Sequence, residues 1–386
     1  MRLGAYTDYT YAREGERLYA ERAFAVFLAR LAPRFERLTL VGRLNPQPQR
    51  TRYAMPAGIG FIALPYYETL TSPGPVLRSM LISVRRFWRA LDELDAVWLL
   101  GPHPLAIVFA AIAIVRRRRV FLGVRQDTPA YIRNRHPGRP FLHLAASALD
   151  AAFAVLSRRC PTVVVGPALR RRYAHACALL ELTVSLVEAE DVVESRVAHQ
   201  RAYGGELTIL SVGRLETEKN PLMLAEVLAR LCAANGTNWS LAVCGEGPLE
   251  DALVQRLAAL GLSDRAQLRG YVPLADGMRE AYRTSHFLLH TSWTEGLPQV
   301  LIEAFAAGLP VVATDVGGIR EAVGDTAVLV VPGDADGAAR ALQELVADDE
   351  LRGRLIDRSL DHARGHTIDR EVSRLADFPF SPGTAS

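Results

Sequence analysis

The sequence predicts an α/β protein made of two doubly wound domains. Three observations carry that expectation. Short apolar runs alternate along the whole chain with longer helix-like segments, the rhythm of β-α-β units. In the second half those runs are almost continuously apolar, as strands are when both faces of a parallel sheet are covered. At 386 residues the chain is too long for one ordinary domain, and 49% hydrophobic residues suffice for two cores.

Taken in order, the first elements are a strand "RLGAYT" (2–7), a polar loop holding Gly15, a helix "RLYAERAFAVFLARL" (17–31) and a strand "RLTLVGR" (37–43). "LNPQPQRTRYAMPAG" (44–58) reads as a Pro-rich loop. Strands "DAVWLLG", "VFLGVRQ" and "TVVVG" follow, separated by a helix from Leu105 and a helix near "RPFLHLAASALDAAF". "LAIVFAAIAIV" (105–115) is too short to span a bilayer and reads as a buried helix. The second half offers six strands: "LTILSVG", "WSLAVCG", "AQLRGYV", "HFLLHTS", "PVVATD" and "AVLVV". The domain boundary is placed at 195/196, beside "SRVAHQRAYGGE", where the charge balance changes and a Gly pair precedes a strand. The second domain then runs to 370, and 371–386 is a tail whose end, "FPFSPGTAS", looks frayed.

The four cysteines (Cys160, Cys177, Cys232, Cys244) have no metal-ligand or framework spacing, and "MRLGAYTDYT" lacks the design of a signal peptide. A cytoplasmic protein is expected, with a peripheral place at the inner membrane face as an extension. Residues 1–200 hold 28 Arg against 16 Asp and Glu, a balance of +12, and the remainder is −9. Arg85, Arg86, Arg89, the run Arg116 to Arg119 and Arg170 to Arg172 suit an anionic or membrane-associated acceptor, or simply a solvated basic surface. A nucleic-acid partner is not expected, because no aromatic-interleaved motif accompanies the arginines.

Lys219 is the single lysine among 45 basic residues, and it stands in "VGRLETEKNP", five residues after Arg214. Arg214 directly follows Gly213, at the end of a strand, so both cations can face one point beyond the sheet. That point suits a diphosphate, whose growing charge on departure the cations would neutralise without an obligatory metal or cofactor. In "TEGLPQVLIEAFAAGLPVVATDVGGI", Glu295 opens a loop and Glu303 lies eight positions later, about two helical turns along the chain, inside a helix starting near Gln299. The loop "EGLP" would aim backbone N–H groups and a helix dipole at an anion or sugar oxygens, and a carboxylate can accept paired hydroxyl hydrogen bonds. The spacing alone also fits an ordinary polar helix face.

Together, "SVGRLETEKNP", "CGEGP", "LRGYVP" and "EGLPQVLIEAFAAGLPVVATDVGGIREAV" resemble the retaining nucleotide-sugar glycosyltransferases of family four. The resemblance covers about residues 205–335 and is weak over 1–200. It implies the GT-B fold, two Rossmann-like domains facing a central cleft, with the donor on the second and the acceptor on the first. It also implies that Glu303 of the Glu-x7-Glu motif holds the ribose and Glu295 the transferred sugar. Arg214 and Lys219 match the diphosphate-binding pair, and Gly213, Glu246, Gly296, Leu297 and Pro298 fall in the donor motifs. Tyr271 and Val272 fall where the base is held. One departure stands out: "FLGVRQDTP" carries no His where many members have one near the reacting sugar, leaving Gln126 in its place. His103 and Gly15 are further candidates for donor or acceptor contacts, each with a structural alternative. The expected activity is sugar transfer from a nucleoside diphosphate sugar to an acceptor hydroxyl. A nucleotide-sugar 2-epimerase and a catalytically silent nucleotide-sugar-binding subunit remain as alternatives.

Overall fold

A computed structural model describes residues 1–47, 53–67, 73–234, 238–273 and 277–378. The chain divides into two compact units, Met1–Val184 with the chain from Asp369 onward, and Ser185–Ile368. The division therefore falls ahead of the expected 195/196 boundary, and the described residues assigned to a tail, 371–378, belong with the first unit. The reason is the helix Ile368–Asp377, whose buried Glu371 accepts from Thr183 N–H at 3.3 Å and from Arg374 at 2.9 Å. Arg374 also donates to Glu181 O at 2.8 Å, and Arg34 donates to Ser373 Oγ at 2.9 Å. Most of the "FPFSPGTAS" tail lies outside the described residues.

In the first unit nine strands make one sheet: β1 (Arg2–Glu14), β2 (Arg17–Ala20), β3 (Arg37–Leu44), β4 (Tyr53–Ala54), β5 (Gly60–Leu64), β6 (Ala96–Gly101), β7 (Arg119–Val124), β8 (Thr162–Val165) and β9 (Leu179–Leu182). The parallel strands run β5-β3-β1-β6-β7-β8-β9, reversing direction of travel between β1 and β6. β1 outruns its predicted length because "DYTYARE" continues in Tyr and Thr, residues that suit a pleated surface. Its far half folds into an antiparallel hairpin with β2, pairing Tyr11 with Ala20 and Glu14 with Arg17. The helix expected over 17–31 is thus split. "RLYA" alternates exposed and buried side chains as a strand, and the helix is confined to Phe24–Ala29. The helix Pro104–Val115 forms as expected but is buried on one face only: Leu105, Ala106 and Phe109 are covered, while Val108, Ile114 and Val115 are exposed.

The second unit holds β10 (Glu206–Val212), β11 (Asn238–Cys244), β12 (Ala266–Leu268), β13 (Phe287–His290), β14 (Val311–Thr314) and β15 (Val328–Val330). All six pair in parallel in the order β12-β11-β10-β13-β14-β15, so the strand order reverses between β10 and β13. Alternation along each strand feeds two cores, one on each face. Ile209, Leu241, Phe287 and Val312 point into one, while Leu210, Ala242, Leu288 and Val311 point into the other. This is why the strands read as unbroken apolar runs.

Candidate functional site

The site is built on the reversal of strand order in the second unit, where two neighbouring strands send their following loops to opposite sides and leave a crevice at their carboxyl ends. β10 leads into Gly213 and Arg214, then a 3-10 turn over Thr217–Lys219; β13 leads into Thr291, Ser292 and Glu295. Backbone and hydroxyl contacts stitch these loops together. Thr291 Oγ1 donates to the carbonyls of Lys219 (3.0 Å) and Asn220 (3.2 Å), and Trp293 N–H donates to Glu218 O at 2.8 Å.

The result is an ion pair between Lys219 Nζ and Glu295 Oε1. The same carboxylate oxygen accepts from Ser292 Oγ at 2.7 Å and from His290 Nε2 at 3.1 Å. The Glu295 side chain is 10% exposed and that of Lys219 25%. Burial alone would raise the Glu295 carboxyl, but the Lys219 charge and the His290 hydrogen bond outweigh it and hold the group well below the usual carboxylate range. The other cation is also engaged by acids of its own loop: Arg214 reaches Glu216 at 2.5 Å and Glu218 at 3.4 Å.

Two glycines make this packing possible. At Gly317, with φ +58°, a Cβ would stand 2.0 Å from Glu295 O; at Gly245 it would stand 1.8 Å from Gly213 O. Gly213, Glu246 and Tyr271 are thereby drawn to neighbouring strand ends: Gly213 N–H donates to Cys244 O (3.0 Å), Gly245 N–H to Gly270 O (2.8 Å), Leu215 N–H to Glu246 O (2.9 Å), and Tyr271 N–H to Glu246 Oε1 (3.2 Å). Val272 packs at the edge of the core.

Gly296, Leu297 and Pro298 lead into the helix Gln299–Ala306, which begins where the sequence placed it. Glu303 is engaged differently from Glu295. Its Oε2 accepts from Tyr282 O–H at 2.7 Å, and it lines a cavity of about 420 Å³ with Val187, Asp191, Arg279 and Tyr282. Desolvation raises the Glu303 carboxyl, the Tyr282 hydrogen bond partly opposing it. Asp191 and Arg279 pair at 2.8 Å in the same wall.

The three candidates from the first half lie in the first unit. Gly15 sits in the tight turn of the β1–β2 hairpin, not in a β-α loop. His103 caps the helix Pro104–Val115: its Nδ1 accepts from Leu105 N–H at 3.2 Å and from Tyr6 O–H at 2.9 Å. Those donors fix the neutral tautomer protonated on Nε2, which faces the Tyr67 hydroxyl oxygen at 3.4 Å, and burial lowers the imidazole pKa. Gln126 is exposed, between Arg125, stacked 4.8 Å from the Tyr9 and Phe24 rings, and Asp127, which caps the helix Thr128–Arg135.

Sequence reasoning passed over His290, Ser292 and Tyr282. The signal for the first two was present, since "HTS" closes an apolar strand at its carboxyl end. His290 is buried, and its Nδ1 has no hydrogen-bond partner among the described residues. Tyr282 lies in the helix Arg279–Thr284 and carried no local signal.

Residues 194–361, less than half of the chain, match the family model "Glycosyl transferases group 1". The chain is 34% identical over 179 residues to a D-inositol 3-phosphate glycosyltransferase of Salinispora tropica, covering 43% of this chain and 36% of that one. It is 32% identical over 170 residues to the phosphatidylinositol N-acetylglucosaminyltransferase gpi3 subunit of Schizosaccharomyces pombe, covering 44% and 35%. It thus spans about a third of the length of these relatives. Among solved structures, the Anabaena protein Alr3699/HepE in complex with UDP aligns with TM-score 0.68 at 17% identity over 97% of this chain and 98% of that one. WaaG, a glycosyltransferase involved in lipopolysaccharide biosynthesis, aligns with TM-score 0.69 at 15% identity over 98% and 100%. The chain therefore has the fold of the GT-B glycosyltransferases, and its residues 194–361 are similar to a glycosyltransferase group 1 domain.

Proposed function

We propose that the protein is a retaining glycosyltransferase that moves a sugar from a nucleoside diphosphate sugar to an acceptor hydroxyl. The observation that carries this reading is the Lys219–Glu295 pair on the loops leaving β10 and β13, the position at which open parallel sheets bind nucleotides. Lys219 and Arg214 meet the diphosphate, whose oxygens replace the carboxylates holding the two cations in the free protein. Charge grows on the diphosphate as its bond to the sugar breaks, so fixed cations there stabilise the transition state more than the ground state. Glu295, released from Lys219, accepts hydroxyls of the transferred sugar. Gly296, Leu297 and Pro298 line the sugar and phosphate at the helix mouth, where the dipole favours the anion. Glu303 accepts ribose hydroxyls, and Gly213, Glu246, Tyr271 and Val272 border the nucleoside. The acceptor's proton passes to the departing diphosphate oxygen, so no general base is assigned. The UDP complex of Alr3699/HepE supports a uridine donor as the first to try. The arginine excess of the first 200 residues supports an anionic or membrane-associated acceptor.

The second reading, a binding subunit without catalysis, is favoured by one observation: around "FLGVRQDTP", Arg125 and Asp127 are committed to stacking and capping. Thermal stabilisation by a panel of UDP-, GDP- and other nucleotide sugars, with Lys219→Ala and Glu303→Ala alongside, tests donor binding. One donor should raise the melting temperature of the parent and of neither variant. Transfer followed by mass spectrometry, with the product's anomeric configuration read by NMR, separates the alternatives. Donor binding with no transfer or hydrolysis gives the silent subunit, whereas an epimer formed without acceptor gives the 2-epimerase.

A further inference from the structure

Three helices of the first unit pack into one core: Phe87 of Pro73–Ala90, Phe109 of Pro104–Val115 and Phe153 of Pro140–Ser157 are all fully buried in it, and the Phe87 and Phe109 rings stack at 3.9 Å. Their opposite faces are unusual. On Pro73–Ala90, Leu77 and Leu81 are 61% and 64% exposed and Trp88 is 43% exposed, a stripe at helical spacing. On Pro104–Val115 the outward positions are Val108, Ala111, Ile114 and Val115. On Pro140–Ser157 they are Phe141, Leu144, Ala148, Ala151 and Val155, with Leu144 73% exposed. This last helix is long and apolar enough to cross a bilayer by length and composition, and only 22% of it is buried. It is tied along its unit by Asp150, which accepts from Arg172 Nε at 2.9 Å and Tyr173 O–H at 3.0 Å.

Charge tells what covers this face. Pro73–Ala90 holds Arg78, Arg85, Arg86 and Arg89 and no acid, Pro104–Val115 has no charged residue, and the single acid of Pro140–Ser157 is the buried Asp150. Arg116 to Arg119 follow directly on Val115, and the Arg116 guanidinium stacks 4.7 Å from the Trp88 ring. Aliphatic stripes beside arginines and an interfacial tryptophan fit the boundary between acyl chains and anionic headgroups. A second copy of the same chain would fit poorly, because a symmetric contact sets like charge against like.

We propose that this outer helical face docks on an anionic lipid bilayer, the helices lying along the surface. The inference goes beyond sugar transfer and does not rest on it, since vesicle binding is measured without donor and either reading can fail alone. The test uses the full chain with phosphatidylcholine vesicles, with or without phosphatidylglycerol. Co-sedimentation is expected with the phosphatidylglycerol vesicles, falling at least tenfold in Leu81→Glu/Leu144→Glu and in Arg85→Glu/Arg89→Glu, and weakening with salt. Hydrogen exchange should slow over 73–90, 104–115 and 140–157 on vesicle addition, a readout that needs no variant. Absence of binding to phosphatidylglycerol vesicles, binding unchanged by the substitutions, or a dimer in ultracentrifugation that Leu144→Glu dissolves would each overturn the proposal.

Discussion

Lys219→Met tests the centre of the site, because it removes the ammonium while keeping the stem. The Glu295 carboxylate, 10% exposed, would then keep Ser292 and His290 but lose its counter-charge. Breaking a buried pair by removing one partner costs about 3–5 kcal/mol. Two hydrogen bonds remain and Lys219 is a quarter exposed, so the lower end applies, about 3 kcal/mol. For a unit of this size each kcal/mol moves the melting temperature by about 2–4 °C, giving a fall of roughly 6–12 °C. Adding Glu295→Gln removes the orphaned charge and should restore most of that loss, since neutral replacement of both partners is far less costly than removal of one. Glu295 titrates below its unfolded value, so its contribution is present above the ordinary carboxylate pKa and lost as pH falls through the folded one. In Lys219→Met that counter-charge is gone, so the buried carboxyl takes up a proton more readily and the gap between single and double variants should narrow in acid. Calorimetry of the parent, both single variants and the double variant at neutral and acid pH measures this. A single variant melting within about 2 °C of the parent would refute the buried pair. A destabilised single variant that still binds donor as the parent does would reduce the lysine to a structural role.

At Gly317, alanine would press a Cβ against the Glu295 carbonyl in a left-handed backbone. Gly317→Ala should lower the melting temperature and abolish donor-induced stabilisation, both read in one thermal-shift experiment. Removing the Tyr282 hydroxyl takes away a hydrogen bond that lowers the Glu303 pKa, so Tyr282→Phe should raise that pKa further. The donor KM should then rise roughly tenfold with kcat little changed, and the acid limb of donor affinity should move to higher pH. His103 is held neutral, with its folded pKa below the ordinary 6.5. Stability is therefore complete above 6.5 and lost as pH falls from there toward the folded pKa. The urea midpoint should drop between pH 7 and 5 in the parent and drop less in His103→Asn, which keeps a capping side chain.

What the sequence disclosed depended on how local the cause was. The strands of the second unit were legible because their two buried faces leave short apolar runs bounded by turn residues, shorter than the apolar helical run 105–115. Gln299 as a helix start was legible from Pro298 and the loop before it. The hairpin at Gly15 was missed, since "RLYAERAFAVFLARL" satisfies helical spacing and its first four residues turn to strand only because Tyr11 to Glu14 pair with them. The C-terminal helix was misassigned because its anchors, Glu181, Thr183 and Arg34, lie far away in the chain. Tyr282 is the same case within the site: a partner twenty-one residues from Glu303 leaves no mark on the motif.

His103 and His290 show why strand-end position alone does not settle a role. Both follow or close a strand flanking the reversal in their own sheet, β6 and β13. His103 spends Nδ1 on the backbone of the helix it caps and on Tyr6, so its work is completed within the fold. His290 instead directs Nε2 to the one carboxylate that also holds the only lysine, and leaves Nδ1 without a partner among the described residues. A buried, half-satisfied imidazole is costly, and on the proposed function its use is to aim the Glu295 oxygen. His290→Ala should accordingly spare the fold of β13 but loosen Glu295, raising the donor KM and lowering kcat together, whereas His290→Gln, which can still donate one hydrogen bond, should recover part of both. Equal loss in the two variants would mean that the ring fills space and positions nothing.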